Sequence, residues 1–171
     1  MTFRKSRTED IPAMMGIIRQ AQEYMKSQGI DQWQNGYPNE TVFREDIEKG
    51  YSYVCEEAGK VIGTIAVIFD GEPTYDCIYE GAWLTTDEPY AAIHRIAVDN
   101  ALKGRGVAGQ MIREVEQMCR DRGVRSIKND THRDNLSMQN MQKKNGFIYC
   151  GVIYLSDGAE RIACEKVLRL G

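Results

Sequence analysis

Apolar residues are arranged along this chain in two patterns, and each pattern predicts a different kind of element. A spacing of three and four residues indicates amphipathic helices, and the longest such segment begins at Ile11 and ends near Gly29. An almost continuous apolar run, KVIGTIAVIF at residues 60–69, is typical of a strand covered on both faces. The pattern therefore predicts a chain in which helices and strands are mixed.

Turn and capping signals set the limits of the other elements. Asp10 followed by Pro12 is a helix-start signal, and Gly123 and Gly146 are helix stops. We predict strands at residues 2–7, 51–57, 60–69, 92–98, 124–131, 147–154 and 161–170, and helices at residues 11–29, 40–50, 104–122 and 135–146. The order β-αα-ββ-β-α-β-α-β-β corresponds to the α/β class with a mixed central sheet.

The length of 171 residues predicts a single domain over residues 1–171, with one insertion at about residues 70–92. This acidic insertion carries six acidic residues and no Lys, Arg or His. We interpret it as loop-rich, with a short strand or a helical turn.

Charge and composition narrow the classes of function. The net charge of −3 gives no electrostatic footprint for nucleic acid, and no apolar run reaches the length of a membrane span. The first residues lack the apolar region of a signal peptide, so we expect a cytoplasmic protein. Five cysteines without a C-x-x-C pair, together with two histidines, give no zinc spacing, and we expect reduced thiols and no metal.

The most informative stretch is the glycine run after the predicted strand at residues 92–98. Gly104, Gly106 and Gly109 follow the spacing G-x-G-x-x-G and open a predicted helix. The unpaired backbone N–H groups and the positive end of the helix dipole favour an anion at this place. Glycines let a phosphate approach the backbone, so the run predicts a phosphate site.

A dinucleotide-binding fold is one interpretation of this spacing, and it would make the protein a nicotinamide-dependent reductase. Three features oppose it. Residues 99–103 separate the strand from the glycines, only one strand–helix–strand unit is present at residues 93–130, and Lys103 and Arg105 place positive charge inside the turn. Asp130 stands at the distance expected of a ribose-binding acid, but the glycine spacing alone is a weak signal.

The stretch IHRIAVDNALKGRGVAGQMI resembles motif A of the GNAT acetyltransferase superfamily, with Lys103 at a position that the family fills with Gln or Arg. A second stretch, THRDNLSMQNMQKKNGF, resembles the downstream motif, in which Asn135 begins a helix that ends in Gly146 and Phe147. The two motifs stand in the family's order, and the predicted element order matches the GNAT fold along nearly the whole chain.

The resemblance implies an N-acetyltransferase that moves an acetyl group from acetyl-CoA, its co-substrate, to a primary amine in a ternary complex. It implies that the pyrophosphate lies on the glycine loop, that pantetheine pairs with the strand before it, and that a backbone N–H near Val98 polarises the thioester carbonyl. The implied acetyl-CoA contacts are Ile96, Ala97, Val98, Lys103, Gly104, Arg105, Gly106, Val107, Ala108, Gly109 and Asn135.

An amine acceptor must lose a proton before it attacks, since its ammonium form is not a nucleophile. His94 lies on the motif A strand, where some family members carry a base, and it is either that base or a structural histidine. Gln142 stands where many relatives have a tyrosine acid. Tyr154, Tyr149 or His132 could replace that acid, or the thiolate could leave without one.

The acceptor is predicted from two segments. The loop between the first two helices walls the acceptor site in the family, and here it contains Trp33 and Tyr37, which are either pocket residues or a hydrophobic plug. The acidic insertion could attract a cationic amine, with Glu80 and Trp83 as contacts, or it could be a solvated loop. The partner is then a small-molecule or protein amine.

A second class of function remains open. A protein with the GNAT fold could bind CoA without catalysis, as a sensor or a partner-binding module, and Gln142 and Lys103 favour that alternative. Small dimers are common in the family, so the resemblance also suggests a homodimer.

Overall fold

The computed structural model describes all 171 residues. Its strands are β1 (Thr2–Lys5), β2 (Ser52–Glu57), β3 (Lys60–Ile68), β4 (Ala91–Val98), β5 (Ser126–Thr131), β6 (Ile148–Tyr154) and β7 (Glu160–Val167). Its helices are α1 (Ile11–Ser27), α2 (Glu40–Glu48), α3 (Val107–Asp121) and α4 (Leu136–Lys144). The hydrogen-bonded strand order is β1-β2-β3-β4-β5-β7-β6. The predicted α/β class and element order are confirmed, and no helix is both long and apolar enough to cross a membrane.

The strand predicted at residues 161–170 ends at Val167, and the predicted start of the third helix is also wrong. The helix expected from Gly104 begins at Val107, because Gly104 and Gly106 adopt left-handed φ angles of 81° and 78° that a helix does not contain. A short 3₁₀ turn at Asn100–Leu102 precedes them. The glycine run is therefore a loop in front of α3 and not its first turn.

Contacts along the chain divide it into two compact units. The first unit comprises Met1–Val67 and His94–Glu114. In it β1 pairs with β2 and β2 with β3, both antiparallel, and α1 and α2 bury their apolar sides in one cluster that includes Ile18, Phe43 and Ala97. This cluster supports the end of β4 from which the glycine loop departs.

The second unit comprises Ile68–Ile93 and Val115–Gly171. In it β7 pairs antiparallel with β5 and β6, and the start of β4 pairs in parallel with β5. Its core cluster includes Tyr75 and Trp83 from the acidic insertion. That insertion forms a 3₁₀ turn at Pro73–Tyr75 and one bridge to β6, as expected of a loop-rich segment. The interpretation of residues 1–171 as a single domain stays a prediction.

Candidate active site

The chain leaves β4 through a loop that side chains hold at both sides. The buried carboxylate of Asp99 accepts a hydrogen bond from the backbone N–H of Ala101 at 3.0 Å, while the Asp99 N–H donates to the Ile62 carbonyl at 2.9 Å. Gln20, from α1, accepts from the Asn100 N–H at 2.8 Å. These bonds fix where the glycine loop begins relative to β3 and α1.

The glycine loop, residues 103–106, is exposed. A Cβ atom added to Gly104 or Gly106 would meet no atom within 4 Å, so crowding inside the protein does not require these glycines. Their left-handed φ angles do require them, since side chains rarely adopt such angles. The loop delivers the chain to the first turn of α3, whose N–H groups have no partners within the helix. An accessible backbone before a helix N-terminus fits a pyrophosphate.

Two cations flank these amides. Lys103 and Arg105 are both exposed, and the Lys103 ammonium lies 5.0 Å from the ring centre of Tyr24 on α1. A cation over an aromatic face is attracted by the ring. The loop therefore offers positive charge of the kind that a pyrophosphate needs, and it holds one of the two cations against α1.

Close packing fixes α3 against the sheet. Val107 and Met111 are buried, and a Cβ atom at Gly63 on β3 would lie 3.1 Å from the end of the Met111 side chain. Gly63 thus lets the first turns of α3 approach β3. The direction of the helix N-terminus is set by this contact.

His94 lies on β4, ahead of the predicted pantetheine strand of residues 96–98. Burial, and to a smaller extent the neighbouring charge of Arg95, lower the pKa of its imidazole to about 4. The imidazole is therefore neutral at neutral pH, and it is a weaker base than an exposed histidine. Its catalytic role stays a prediction.

Arg95 follows His94 and was not singled out in the sequence. Its φ angle is 51°, although it lies within a strand and is not glycine. Its guanidinium donates two hydrogen bonds to the Asp46 carboxylate on α2, at 2.7 and 2.8 Å, and a third to the Tyr37 hydroxyl at 3.0 Å. No sequence pattern marks an arginine that will adopt a left-handed conformation.

The two aromatic residues predicted for the acceptor site lie in different surroundings. Tyr37 is 42% exposed and accepts the Arg95 bond just described. Trp33 is half-buried and packs against the core cluster of the first unit. Tyr37 thus contacts Arg95, the residue that follows His94, whereas Trp33 is placed as a hydrophobic plug would be. The acceptor role of both residues stays a prediction.

In the second unit, Asn135 caps α4. Its side-chain oxygen accepts from the Met138 N–H at 3.2 Å, and only 6% of the residue is exposed. The assignment of Asn135 to pantetheine stays a prediction.

Gln142, which replaces the usual tyrosine, is buried and part of a chain of amides. Its Nε2 donates to Asn129 Oδ1 at 2.5 Å, and Asn129 Nδ2 donates to the Ile93 carbonyl on β4 at 2.9 Å. The Cys164 thiol lies 3.6 Å from Gln142 Oε1. An amide cannot supply an acidic proton near neutral pH, so Gln142 supports the structure where relatives have an acid.

The suggested replacements for that acid lie on or near β6 and β5. Tyr154 is 45% exposed and packs edge-on against Tyr79 with ring centres 5.5 Å apart. Tyr149 is also exposed. His132 accepts a bond from the Asp134 N–H at 3.0 Å. None of these contacts selects one of the three, and the role of Tyr154 stays a prediction.

The acidic insertion is anchored to the second unit by Trp83. Its indole N–H donates to the Tyr75 carbonyl at 2.8 Å, and the Lys128 ammonium lies 4.4 Å from its ring centre. Trp83 is 9% exposed, whereas Glu80 is exposed. Glu88 is paired with Arg125 at 2.7 Å, so at least one of the six acids is already neutralised. Contact of Glu80 and Trp83 with an acceptor stays a prediction.

A further carboxylate of the second unit has unusual surroundings. Asp130, at the end of β5, accepts a hydrogen bond from the Tyr75 hydroxyl at 2.6 Å. Burial raises the pKa of Asp130 and, together with the Asp130 charge, that of Tyr75. The sequence drew attention to Asp130 only through its distance from the glycines, and the structure gives it a hydrogen-bonding role instead.

The thiols show no arrangement for acyl transfer. Cys77 is exposed and the other four cysteines are buried. Burial raises the pKa of Cys150 on β6, which disfavours the thiolate that an acyl-cysteine route would need. No group of three or more His, Cys, Asp or Glu side chains is placed to hold a metal ion.

The mixed sheet, the glycine loop after β4 and the helix that it opens define a protein of the acyl-CoA N-acyltransferase class. Comparison with known proteins makes this specific: residues 17–147 match the Acetyltransferase (GNAT) family. The chain belongs to the GNAT acetyltransferase family, and acetyl-CoA is the acetyl donor that this family uses.

Solved structures agree along the full length. A GNAT-family acetyltransferase from Streptococcus agalactiae is 35% identical, with a TM-score of 0.89 over 98% of this chain and 95% of that one. A protein from Staphylococcus aureus described as a putative acetyltransferase is 27% identical, with a TM-score of 0.74 over 99% of this chain and 100% of that one. The fold is therefore shared from the first strand to the last.

The human protein N-acetyltransferase 8B is 28% identical over 109 residues. These residues are 60% of this chain and 43% of the human protein, so the chain matches less than half of that relative.

Proposed function

We propose that this protein transfers an acetyl group from acetyl-CoA to a primary amine by direct attack within a ternary complex. The observation that carries the proposal is the exposed glycine loop before α3, in a chain that belongs to the GNAT acetyltransferase family. The acceptor that we favour is cationic, because the insertion carries six acidic residues and no Lys, Arg or His.

Acetyl-CoA, when bound, supplies the activated thioester. The backbone of residues 103–109 would hold its pyrophosphate, with the charges of Lys103 and Arg105 beside it. The backbone of residues 96–98 would orient the pantetheine arm, and an N–H near Val98 would donate to the thioester carbonyl. These contacts depend on backbone conformation, which the bonds of Asp99 and the packing of α3 maintain.

His94 is the proposed acceptor for the proton that the amine releases, directly or through water. A neutral imidazole can take that proton, and burial keeps it neutral. Its low pKa means that it holds the proton briefly and passes it on, so the acceptor amine must bind mostly deprotonated or lose its proton in step with the attack.

The first experiment is thermal unfolding with acetyl-CoA, CoA and NADH added separately. A ligand at one hundred times its Kd stabilises by about 2.7 kcal/mol, which is a visible shift in Tm. We expect acetyl-CoA and CoA to raise the Tm and NADH to leave it unchanged. Stabilisation by NADH alone would overturn the proposal in favour of a nicotinamide-dependent reductase.

A matched pair of variants localises the site. Gly106→Ala should abolish most of the CoA-dependent shift, because its φ of 78° strains a side chain in the loop. Gly59→Ala is the control, since Gly59 has a φ of 75°, equally open surroundings and a place in the β2–β3 turn. Equal CoA-dependent shifts in both variants would remove the loop from the site.

Catalysis is tested by release of CoA in the presence of polyamines, aminoglycosides and lysine peptides. Release with one of these amines separates an enzyme from a CoA-binding module. Stabilisation by CoA without acetylation of any amine would favour the non-catalytic alternative, for which the buried amide of Gln142 at the usual acid position is the structural argument.

A further inference from the structure

We propose that Arg95 and Asp46 form a positioning pair that holds the left-handed backbone conformation at Arg95, which we call the kink of β4. We further propose that Tyr37 ties the loop between α1 and α2 to this pair. The proposal deepens the proposed function and rests on it, since the strand that is positioned is the one assigned to pantetheine. Neither Arg95 nor Asp46 is expected to touch a reacting atom.

The backbone at Arg95 is strained. A φ angle of 51° places a non-glycine residue in the left-handed region, where its Cβ crowds the backbone. The neighbours on both sides belong to the same strand, so the chain must twist locally at this one position. Such strain persists only where surrounding contacts enforce it.

The contacts that enforce it come from α2. Arg95 Nε and Nη2 meet the two oxygens of Asp46 at 2.7 and 2.8 Å, which is the bidentate arrangement of a guanidinium and a carboxylate. Asp46 is 6% exposed, and the Arg95 side chain is 12% exposed. Burial of Asp46 makes loss of its partner unfavourable, because an unpaired carboxylate would remain in the interior.

The kink separates two predicted functional segments. His94 immediately precedes Arg95, and Ile96 immediately follows it. Side chains alternate between the two faces along a regular strand. A left-handed residue between His94 and Ile96 therefore changes how the residues after it are oriented relative to those before it. The pair therefore sets how the His94 side chain is aimed relative to the backbone of residues 96–98.

The third Arg95 bond extends this control to the loop between α1 and α2. The Tyr37 hydroxyl accepts from Nη1 at 3.0 Å, and Tyr37 is otherwise a 42% exposed residue. The Gln22 side chain donates to the Tyr37 carbonyl at 2.9 Å, which fixes the backbone at the same place. Tyr37 is thus held at a defined distance from the kink, and an acceptor bound at this loop would be aligned with β4.

The test compares Arg95→Ala, Arg95→Gly and Asp46→Asn with the wild type, at a temperature well below every Tm. Calorimetry gives the Kd for CoA, and initial rates give kcat and the acceptor KM. We expect Arg95→Ala to lower kcat at least tenfold and to weaken CoA binding. Arg95→Gly should retain more of the kcat and of the CoA affinity, because glycine adopts the left-handed φ angle without the contact to Asp46. Asp46→Asn should lie between Arg95→Ala and the wild type.

Arg4→Ala is the matched control, because Arg4 also forms a bidentate pair, with Asp10 at 2.8 and 2.9 Å, and its side chain is mostly buried. It should leave kcat and the Kd for CoA unchanged. Tyr37→Phe should raise the acceptor KM several-fold and leave the Kd for CoA unchanged, since it removes only the hydroxyl.

The outcomes separate the two proposals. A wild type that does not bind CoA overturns the proposed function and this inference with it. A wild type that binds CoA and transfers acetyl, with Arg95→Ala and Asp46→Asn that merely melt at lower temperature, overturns the inference alone. If Arg95→Ala does not fold, Asp46→Asn decides: a lower kcat with weaker CoA binding supports the inference, and an unchanged kcat and Kd for CoA overturn it.

Discussion

At the scale of single residues, burial changes the protonation of His94 relative to that of an exposed histidine. The imidazole of His94 has a pKa of about 4, well below the 6.5 of an exposed histidine. The side chain therefore carries no charge over the whole range in which most enzymes are assayed. A titration seen near pH 6.5 must then belong to another group.

This gives a prediction for His94→Gln that needs no substrate. The pKa of His94 is lower in the folded state than in the unfolded state. Between about pH 6.5 and about pH 4, the unfolded chain therefore binds a proton at His94 that the folded chain does not bind. The free energy of unfolding is then unaffected by this group above pH 6.5 and falls as the pH drops through that range. His94→Gln lacks this loss. Between pH 7 and pH 5 the Tm of the wild type should fall several degrees more than that of the variant, as measured by calorimetry. Parallel curves would contradict the low pKa.

If His94 also accepts the proton in catalysis, kcat/KM in the wild type should show no acid limb near pH 6.5. Its pH dependence should follow deprotonation of the acceptor amine, and His94→Gln should lower the rate across the range. An unchanged rate in His94→Gln at every pH would leave His94 with a structural role only.

At the scale of elements, the edge strand β6 is covered by a piece of the acidic insertion. The N–H and the carbonyl of Tyr79 bond to Val152, and the Ala82 N–H donates to the Cys150 carbonyl at 2.9 Å. Two glycines permit this approach. A Cβ atom at Gly81 would lie 1.9 Å from the Cys150 oxygen, and one at Gly151 would lie 2.5 Å from the Tyr79 oxygen.

Gly81→Ala should therefore destabilise the protein by about 3 kcal/mol or more, because backbone atoms would have to move apart. The measurement is the midpoint of urea unfolding. Gly158→Ala serves as control: Gly158 has a φ of 86° and open space around it, so its cost is strain alone, about 1–2 kcal/mol. Equal losses in the two variants would mean that the insertion yields without breaking its contact with β6.

Elements with long apolar periods were predictable, whereas their junctions with the loops were not. The pattern of α1 and the continuous apolar run of β3 depend on burial of whole faces, which sequence records directly. The start of α3 depends on the φ angles of Gly104 and Gly106, and a glycine fits a helix, a loop or a turn equally well. The glycines and flanking cations predicted a phosphate site at this loop, which stays a prediction, and they did not predict the shape of the loop.

At the scale of the whole molecule, the charge of −3 conceals an uneven distribution. The acidic insertion has no basic residue of its own, and the chain supplies Arg125 for Glu88. This excess of acidic residues gives the insertion a field that attracts cations and is screened by salt.

The acceptor KM should therefore rise with salt if the acceptor is cationic. We expect an increase of several-fold between about 0.05 and 0.5 M NaCl, a range over which the Debye length falls about threefold. The KM for acetyl-CoA measured in parallel separates this effect from salt dependence at the glycine loop. An acceptor KM independent of salt would indicate that the insertion is only a solvated loop.

The pairing of Arg95 with Asp46 could not be predicted from the sequence. They are 49 residues apart, and their pairing depends on how α2 meets β4 in the folded chain. Neither residue type is unusual in its segment, and no spacing rule connects them. The strand β4 was predicted from the sequence, but the contact between Arg95 and Asp46 is tertiary.

The single exposed thiol has a practical consequence for the assay bench. Free CoA is commonly followed with an aromatic disulfide that reacts with any accessible thiol, and Cys77 is accessible while the other four cysteines are buried. Each enzyme molecule should thus add one equivalent of rapid colour before turnover begins. Mistaken for a burst of product, that signal would mimic an acyl-enzyme. Measured before substrate is added, it counts the folded protein, and Cys77→Ser should abolish it.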